Sequence, residues 1–226
     1  MTATLTPLPK SPRPVLRTAA HERFMSELYA GAIRPGEFVS QNELCELLSV
    51  PLGPMREALK RLEAEAIVAL IPQRGIKILT VDDKTVSDAF QMRLLFELEA
   101  VRAFAASGDR HQARELREKT AAAGDAIDPS EAPNRAMMET LTDLDHGMHR
   151  LFVEALKNPF ATDLLGQLLS RLRIARLTVR LPARAWCDMT REHVRILDLA
   201  VSGKAKKSAA AMETHLENAR GRALGG

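Results

Sequence analysis

The sequence predicts a mainly α-helical protein, with an N-terminal winged helix-turn-helix followed by an all-α, six-helix antiparallel bundle. Three observations carry this. Aromatic residues make up only 4% of the chain while Leu, Ala, Arg and Glu dominate, which favours helices over a sandwich or barrel. Three short amphipathic runs closed by two β-prone runs occupy the chain up to Thr80. From Asp82 onward the apolar residues recur at helical spacing and no segment reads as a strand.

With 226 residues, 46% of them hydrophobic and 27% charged, the chain can bury one large core or two smaller ones. Residues 1–14 hold several prolines and no long apolar run, so they are expected as a flexible tail, neither signal peptide nor membrane span. No later run approaches the roughly 18 apolar residues of a spanning helix, so no membrane partner and a cytoplasmic location are expected. Cys45 and Cys187 form no CxxC pattern and are expected as free thiols. The net charge of +3 is compatible with a nucleic-acid partner and does not decide the function.

In the N-terminal module (15–80), a first helix is expected over 18–32, with Phe24, Leu28 and Tyr29 on one face. It stops at Arg34-Pro35-Gly36, where proline presets a turn and glycine tolerates positive φ. Ser40-Gln41-Asn42-Glu43 matches a capping box, opening a helix over 41–48 that buries Leu44, Leu47 and Leu48. A third helix is expected over 54–65, with Met55, Ala58, Leu59 and Leu62 as its core stripe and Arg56, Lys60 and Glu63 opposite. The runs 68–71 and 76–80, separated by Pro72-Gln73-Arg74-Gly75, read as a hairpin with glycine in its turn. Three helices and such a wing make a winged helix-turn-helix whose third helix enters the DNA major groove. By pattern alone, a small bundle with an ordinary solvated face fits equally well.

Gly31-x-Ile33-x-Pro35-Gly36, Glu43-Leu44, Pro54-Met55-Arg56-Glu57-Ala58-Leu59-x-x-Leu62 and Arg74-Gly75, in that order, resemble the DNA-binding domain of GntR-family bacterial transcription regulators. The resemblance implies a homodimeric, repressor-type protein that binds double-stranded operator DNA. It implies DNA-facing roles for Gln41, Asn42, Arg56, Lys60, Arg74 and the wing-tip Gly75. Arg56 suits this chemically, because its permanently charged fork matches a phosphate or a guanine edge. The chain departs from the family at Pro51-Leu52-Gly53, where Ser-Arg-Thr is usual, and at Asn42, where some members carry arginine. Gly53 is expected to replace the lost cap, with Pro54 opening the helix.

The C-terminal module (82–226) reads as six helices, over 82–107, 109–127, 134–156, 160–181, 188–201 and 204–224. Gly108 is expected to stop the first and Pro182 to interrupt the fourth. In the third, Asp145-x-x-x-His149 puts a carboxylate and an imidazole on one face, one turn apart. The pair is either a surface hydrogen bond or half of a metal site, and His193 and His215, in later helices, are candidates for the other half. His21, His111 and His146 take no role; His146 points about 100° away from Asp145.

Arg93-x-x-x-Glu97, Asp145-x-x-x-His149, Glu192-His193-x-x-Ile196 and His215-Leu216 resemble the all-α FCD ligand-binding domain that accompanies GntR-type heads in the FadR subfamily, and six helices suggest its VanR-like branch. The resemblance implies a divalent metal ion (Zn, Ni, Mn or Fe) on Asp145, His149, His193 and His215. A small carboxylate metabolite is then the expected effector, with Arg93 its candidate counter-charge; a helix salt bridge to Glu97 is the plainer role for Arg93. Glu192 either orients a ligand or faces water. Two other classes compete with a metabolite-responsive regulator: a helical metalloenzyme using the Asp/His₃ set, and a structural helical protein with incidental histidines.

Overall fold

The computed structural model describes residues 13–177 and 179–225. They divide into two compact units, residues 13–81 with 173–177, and residues 82–172 with 179–225.

The first unit contains α1 (Arg13–Ala30), β1 (Phe38–Val39), α2 (Gln41–Leu48), α3 (Leu52–Ala64), β2 (Val68–Ile71) and β3 (Gly75–Ile78). The tail expected over 1–14 lies outside the described residues except for Arg13 and Pro14, which already belong to α1. Phe24 and Leu28 are fully buried, and with Leu44, Leu48, Met55, Leu62 and Ile78 they form one core. Gly36 turns the chain at φ +90°. The capping box is present: Glu43 N–H donates to Ser40 Oγ at 3.2 Å, and Ser40 N–H donates to Glu43 Oε2 at 2.6 Å.

Two helix expectations need correction. Leu47 is 44% exposed. Leu44 and Leu48, one turn apart, fill the inward stripe of α2, and Leu47 sits about 100° round from Leu48. The third helix opens at Leu52 behind an N-cap Pro51, with no help from a Gly53 cap. Pro51 O accepts the first helical bond from Met55 N–H at 3.1 Å. Pro54 is tolerated inside this first turn because its missing N–H would have had no helical partner there.

The hairpin acquires a third strand that the sequence did not reveal. β1 pairs antiparallel with β3, giving the order β1-β3-β2. This changes the reason for Gly75. The left-handed residue of the turn is Gln73, at φ +61°. Gly75 itself adopts φ +94°, and a Cβ there would lie 2.8 Å from Val39 O in the added strand. Gly75→Ala is therefore expected to cost about 1–3 kcal/mol. A lowered urea midpoint with faster hydrogen exchange over residues 68–78 checks this; unchanged values would contradict it.

The second unit contains α4 (Asp83–Ser107), α5 (Arg110–Asp125), α6 (Arg135–Glu154), α7 (Pro159–Arg176), α8 (Ala183–Val201) and α9 (Ala205–Ala223), although the last turn of α7 is grouped with the first unit. Asp82, Asp109 and Asn134 each cap a helix, their side chains accepting from Thr85, His111 and Met137 N–H. The packing is anchored by an edge-to-face contact of Phe104 and Phe152 with ring centres 5.1 Å apart.

Here too some boundaries move. α7 ends at Arg176, short of the expected 181, and α8 begins at Ala183, ahead of the expected 188. Pro182 is the N-cap of α8, its fixed φ of −67° leading into the helix, and does not interrupt the preceding one. Gly108 does end α4, but at φ −73°, outside the left-handed region. A Cβ on Gly108 would lie 2.3 Å from the Phe104 ring, so glycine is required there by close packing. Both cysteines are free and half-buried. Among the described residues no helix is long and apolar enough to cross a membrane.

Candidate metal centre and nucleic-acid interface

Asp145, His149, His193 and His215 come together from three helices. α6 contributes the first two, one turn apart, and α8 and α9 one each. All four are buried, and one potential ligand atom from each lies within 4.8 Å of every other. His193 Nε2 is 3.1 Å from Asp145 Oδ1 and 3.2 Å from His215 Nε2, and His149 Nε2 is 3.3 Å from the same Asp145 oxygen.

Carboxylates hold two of the rings from behind. His149 Nδ1 lies 2.5 Å from Glu97 Oε2, and His215 Nδ1 lies 2.7 Å from Glu192 Oε2. An anionic partner at Nδ1 accepts the proton held there and orients each ring with Nε2 inward, the nitrogen a metal would bind. Each carboxylate is itself anchored. Glu97 Oε1 accepts from Arg93 Nε at 2.5 Å, and Glu192 accepts from Asn218 Nδ2 at 2.8 Å and from both terminal nitrogens of Arg222 at 3.0 and 2.8 Å.

These contacts set the charges. Burial pushes the Glu97 carboxyl up, but the charges of Arg93 and His149 prevail and bring it down to about 2. Burial likewise opposes Glu192, and hydrogen bonds from His215, Arg222 and Asn218 bring it to about 2. Burial lowers His193, and burial with the neighbouring His193 lowers His215 to about 3, so both imidazoles are neutral near pH 7. For His149, burial works downward but the Glu97 charge outweighs it and the net shift is upward.

The donor set fits a divalent ion. Its carboxylate and three imidazoles are a transition-metal ligand set. His149 Nε2 is buried and makes no well-formed hydrogen bond, its contact with Asp145 Oδ1 at 3.3 Å being poorly aligned, and a buried polar atom left unsatisfied costs about 1–3 kcal/mol. A cation shared with Asp145, His193 and His215 would satisfy that atom.

Arg93 is not among the four. It forms the expected ion pair with Glu97, at 3% exposure, and so stands behind His149. One terminal nitrogen, Nη2, is nevertheless buried without a hydrogen-bond partner. The sequence did not connect Glu97 to His149, nor Asn218 and Arg222 to the cluster. The available signal was spacing, since Asn218 and Arg222 share a helix face with His215.

In the first unit, Gln41, Arg56, Lys60 and Gly75 line one groove between α3 and the wing, together with Gln73 of the wing turn. Asn42 and Arg74 are exposed but do not line it. Arg56 is exposed and forms no ion pair among the described residues, whereas Lys60 Nζ is held 2.9 Å from Glu57 Oε1.

A winged helix-turn-helix with exposed arginines, joined to a helical unit with a buried Asp/His₃ cluster, defines the class of DNA-binding regulators with a separate helical domain. The chain belongs to the GntR family of bacterial regulatory proteins and carries an FCD domain: residues 16–78 match the former and residues 88–218 the latter. It is a transcription regulator, not an enzyme.

The chain is similar to the Nta operon transcriptional regulator of Aminobacter aminovorans, with 25% identity over 81% of this chain and 83% of that protein. It is 26% identical to the HTH-type transcriptional regulator YdhC of Bacillus subtilis over 54% of this chain; this match spans only 57% of that protein. A solved GntR regulator from Rhodococcus shares the fold with a TM-score of 0.75 at 19% identity, covering 92% of this chain and 97% of that one.

Proposed function

We propose that the chain is a metal-dependent, metabolite-responsive repressor that acts as a homodimer on double-stranded operator DNA. Asp145, His149, His193 and His215 would hold a divalent ion, Zn, Ni, Mn or Fe, and the observation that carries this is the convergence of four buried ligand atoms within 4.8 Å of one another, with His149 Nε2 lacking a well-formed hydrogen bond. The ion would supply a positive centre able to bind a carboxylate oxygen. Arg93 would be the effector residue: its buried Nη2 lacks a hydrogen-bond acceptor, and a small carboxylate would supply one.

Gln41, Asn42, Arg56, Lys60, Arg74 and Gly75 are proposed as the DNA-facing residues, and the groove that four of them line supports that reading. Effector binding can change DNA affinity only if it favours one arrangement of the two heads over another, so the two sites are thermodynamically linked. A pairing of helices is favoured by Met92 and Leu95, which face solvent on α4 at 40% and 70% exposure.

The test is selection of bound genomic fragments by the purified protein, repeated after chelation, with the metal content measured in parallel. We expect about one ion per chain and a defined operator whose recovery changes when the ion is removed. Metal-free protein, or an operator indifferent to chelation, would overturn the sensing role.

A further inference from the structure

Two carboxylates back the proposed metal ligands, and they are housed differently. Glu97, behind His149, has a wholly buried side chain, and its partner Arg93 is 3% exposed. Glu192, behind His215, is 20% exposed, and its partner Arg222 is 15% exposed. Glu192, Asn218 and Arg222 line a shallow surface pocket together with Asp188, Glu217 and Gly221. One clamp is therefore sealed in the interior, while the other reaches solvent.

Helical spacing builds the second clamp. His215, Asn218 and Arg222 stand at i, i+3 and i+7 on one face of α9, and Glu192 precedes His193 on α8. One carboxylate thus ties the α9 ligand to α8, next to the α8 ligand. Arg222 holds both oxygens of Glu192, at 3.0 and 2.8 Å, a fork that fixes the carboxylate in its plane. An ion leaving a buried four-ligand site loses its ligands one at a time, and a ring can turn away only if the group behind it yields. Behind His149 that group has no opening to solvent. Behind His215 it needs only to move into the pocket.

We propose that Glu192 and Arg222 form a latch on the metal centre: His215 is the ligand through which the ion exchanges with solvent, and Arg222 is the positioning residue that keeps it closed. The proposal rests on Asp145, His149, His193 and His215 holding an ion. Arg222 does not itself coordinate; it fixes Glu192, which fixes the His215 ring through Nδ1 at 2.7 Å. Because Arg222 lies in the last turn of α9, the end of that helix sets how long the ion stays.

Full-length protein loaded with zinc ions is mixed with an excess of a chromogenic chelator at neutral pH, and release of the metal is followed. Arg222→Ala should release it about 10- to 100-fold faster than wild type. Arg222→Lys, which keeps the charge but loses the fork, should fall between the two. Glu192→Gln should also release faster, and adding Arg222→Ala to it should change the rate little, because Arg222 acts through Glu192. In the metal-free protein, ring-nitrogen NMR should find the His215 proton on Nδ1 in wild type and shared between both nitrogens in Arg222→Ala, with His149 unaltered. Wild-type release from Arg222→Ala, or fully additive effects of the two substitutions, would overturn the latch. Equal changes in the rings of His149 and His215 would mark a general loosening of the bundle and overturn it too. A wild type that binds no zinc would overturn the metal centre itself, and the latch with it.

Discussion

Replacing His193 and His215 together by alanine is expected to leave the protein without bound metal. The two residues supply half of the proposed ligands, from α8 and α9. Loss of a single hydrogen-bonded partner behind a ligand typically costs roughly 10–100-fold in metal affinity, and removing two ligands outright should exceed that. What remains, Asp145 and His149, is an i, i+4 pair on one helix, too few donors for a closed site. The variant should still fold, because Glu192 keeps Asn218 and Arg222 as partners when His215 is removed. Elemental analysis after dialysis reads the result directly, and full occupancy in the double variant would refute the ligand assignment. A second readout separates loss of metal from loss of structure. A ligand present at about 100 times its Kd stabilises the folded state by about 2.7 kcal/mol, so chelation should lower the melting temperature of the wild type and leave that of the variant unmoved.

The four proposed ligands were legible from two sources, the helical spacing of Asp145 and His149 and the family resemblance that added His193 and His215. Asp145 and His149 sit at helical spacing, and His193 and His215 lie in later helices of a chain with six histidines in all. What surrounds them was not. Glu97 and His149 are 52 positions apart, and no periodicity reports which face of α4 meets which face of α6. The pairing of Arg93 with Glu97 follows from helical spacing, yet the unpaired Nη2 of Arg93 is a property of the packed interior alone. The same division holds for the fold. Helix number and order followed from the apolar spacing, whereas the ends shifted wherever a proline or glycine admits two readings. Pro182 can stop one helix or start the next. Gly108 can relieve a backbone angle or make room for a ring, and only the position of Phe104 decides. β1 was hidden because two residues carry no alternation, and with it went the steric reason for Gly75.

Arg56→Ala is expected to weaken operator binding by about 1–3 kcal/mol, roughly 5- to 150-fold, without changing the fold. Its neighbours explain why the effect should be so clean. Met55, Ala58 and Leu59 are buried and hold α3 against the core, while Arg56 projects into the groove and contributes nothing to that packing. With no ion pair among the described residues, its guanidinium need not be released from a protein partner before it meets DNA. Lys60, in the same groove, must first give up Glu57, so Lys60→Ala should cost less. The salt dependence tells which kind of interaction Arg56 makes with DNA. If it binds a phosphate, the substitution would reduce the slope by about 0.9 and weaken all duplexes alike; if it binds a guanine edge, the slope would hold and the preference at one base pair would relax. Wild-type affinity in Arg56→Ala, on operator and mixed-sequence duplex alike, would remove α3 from the major groove.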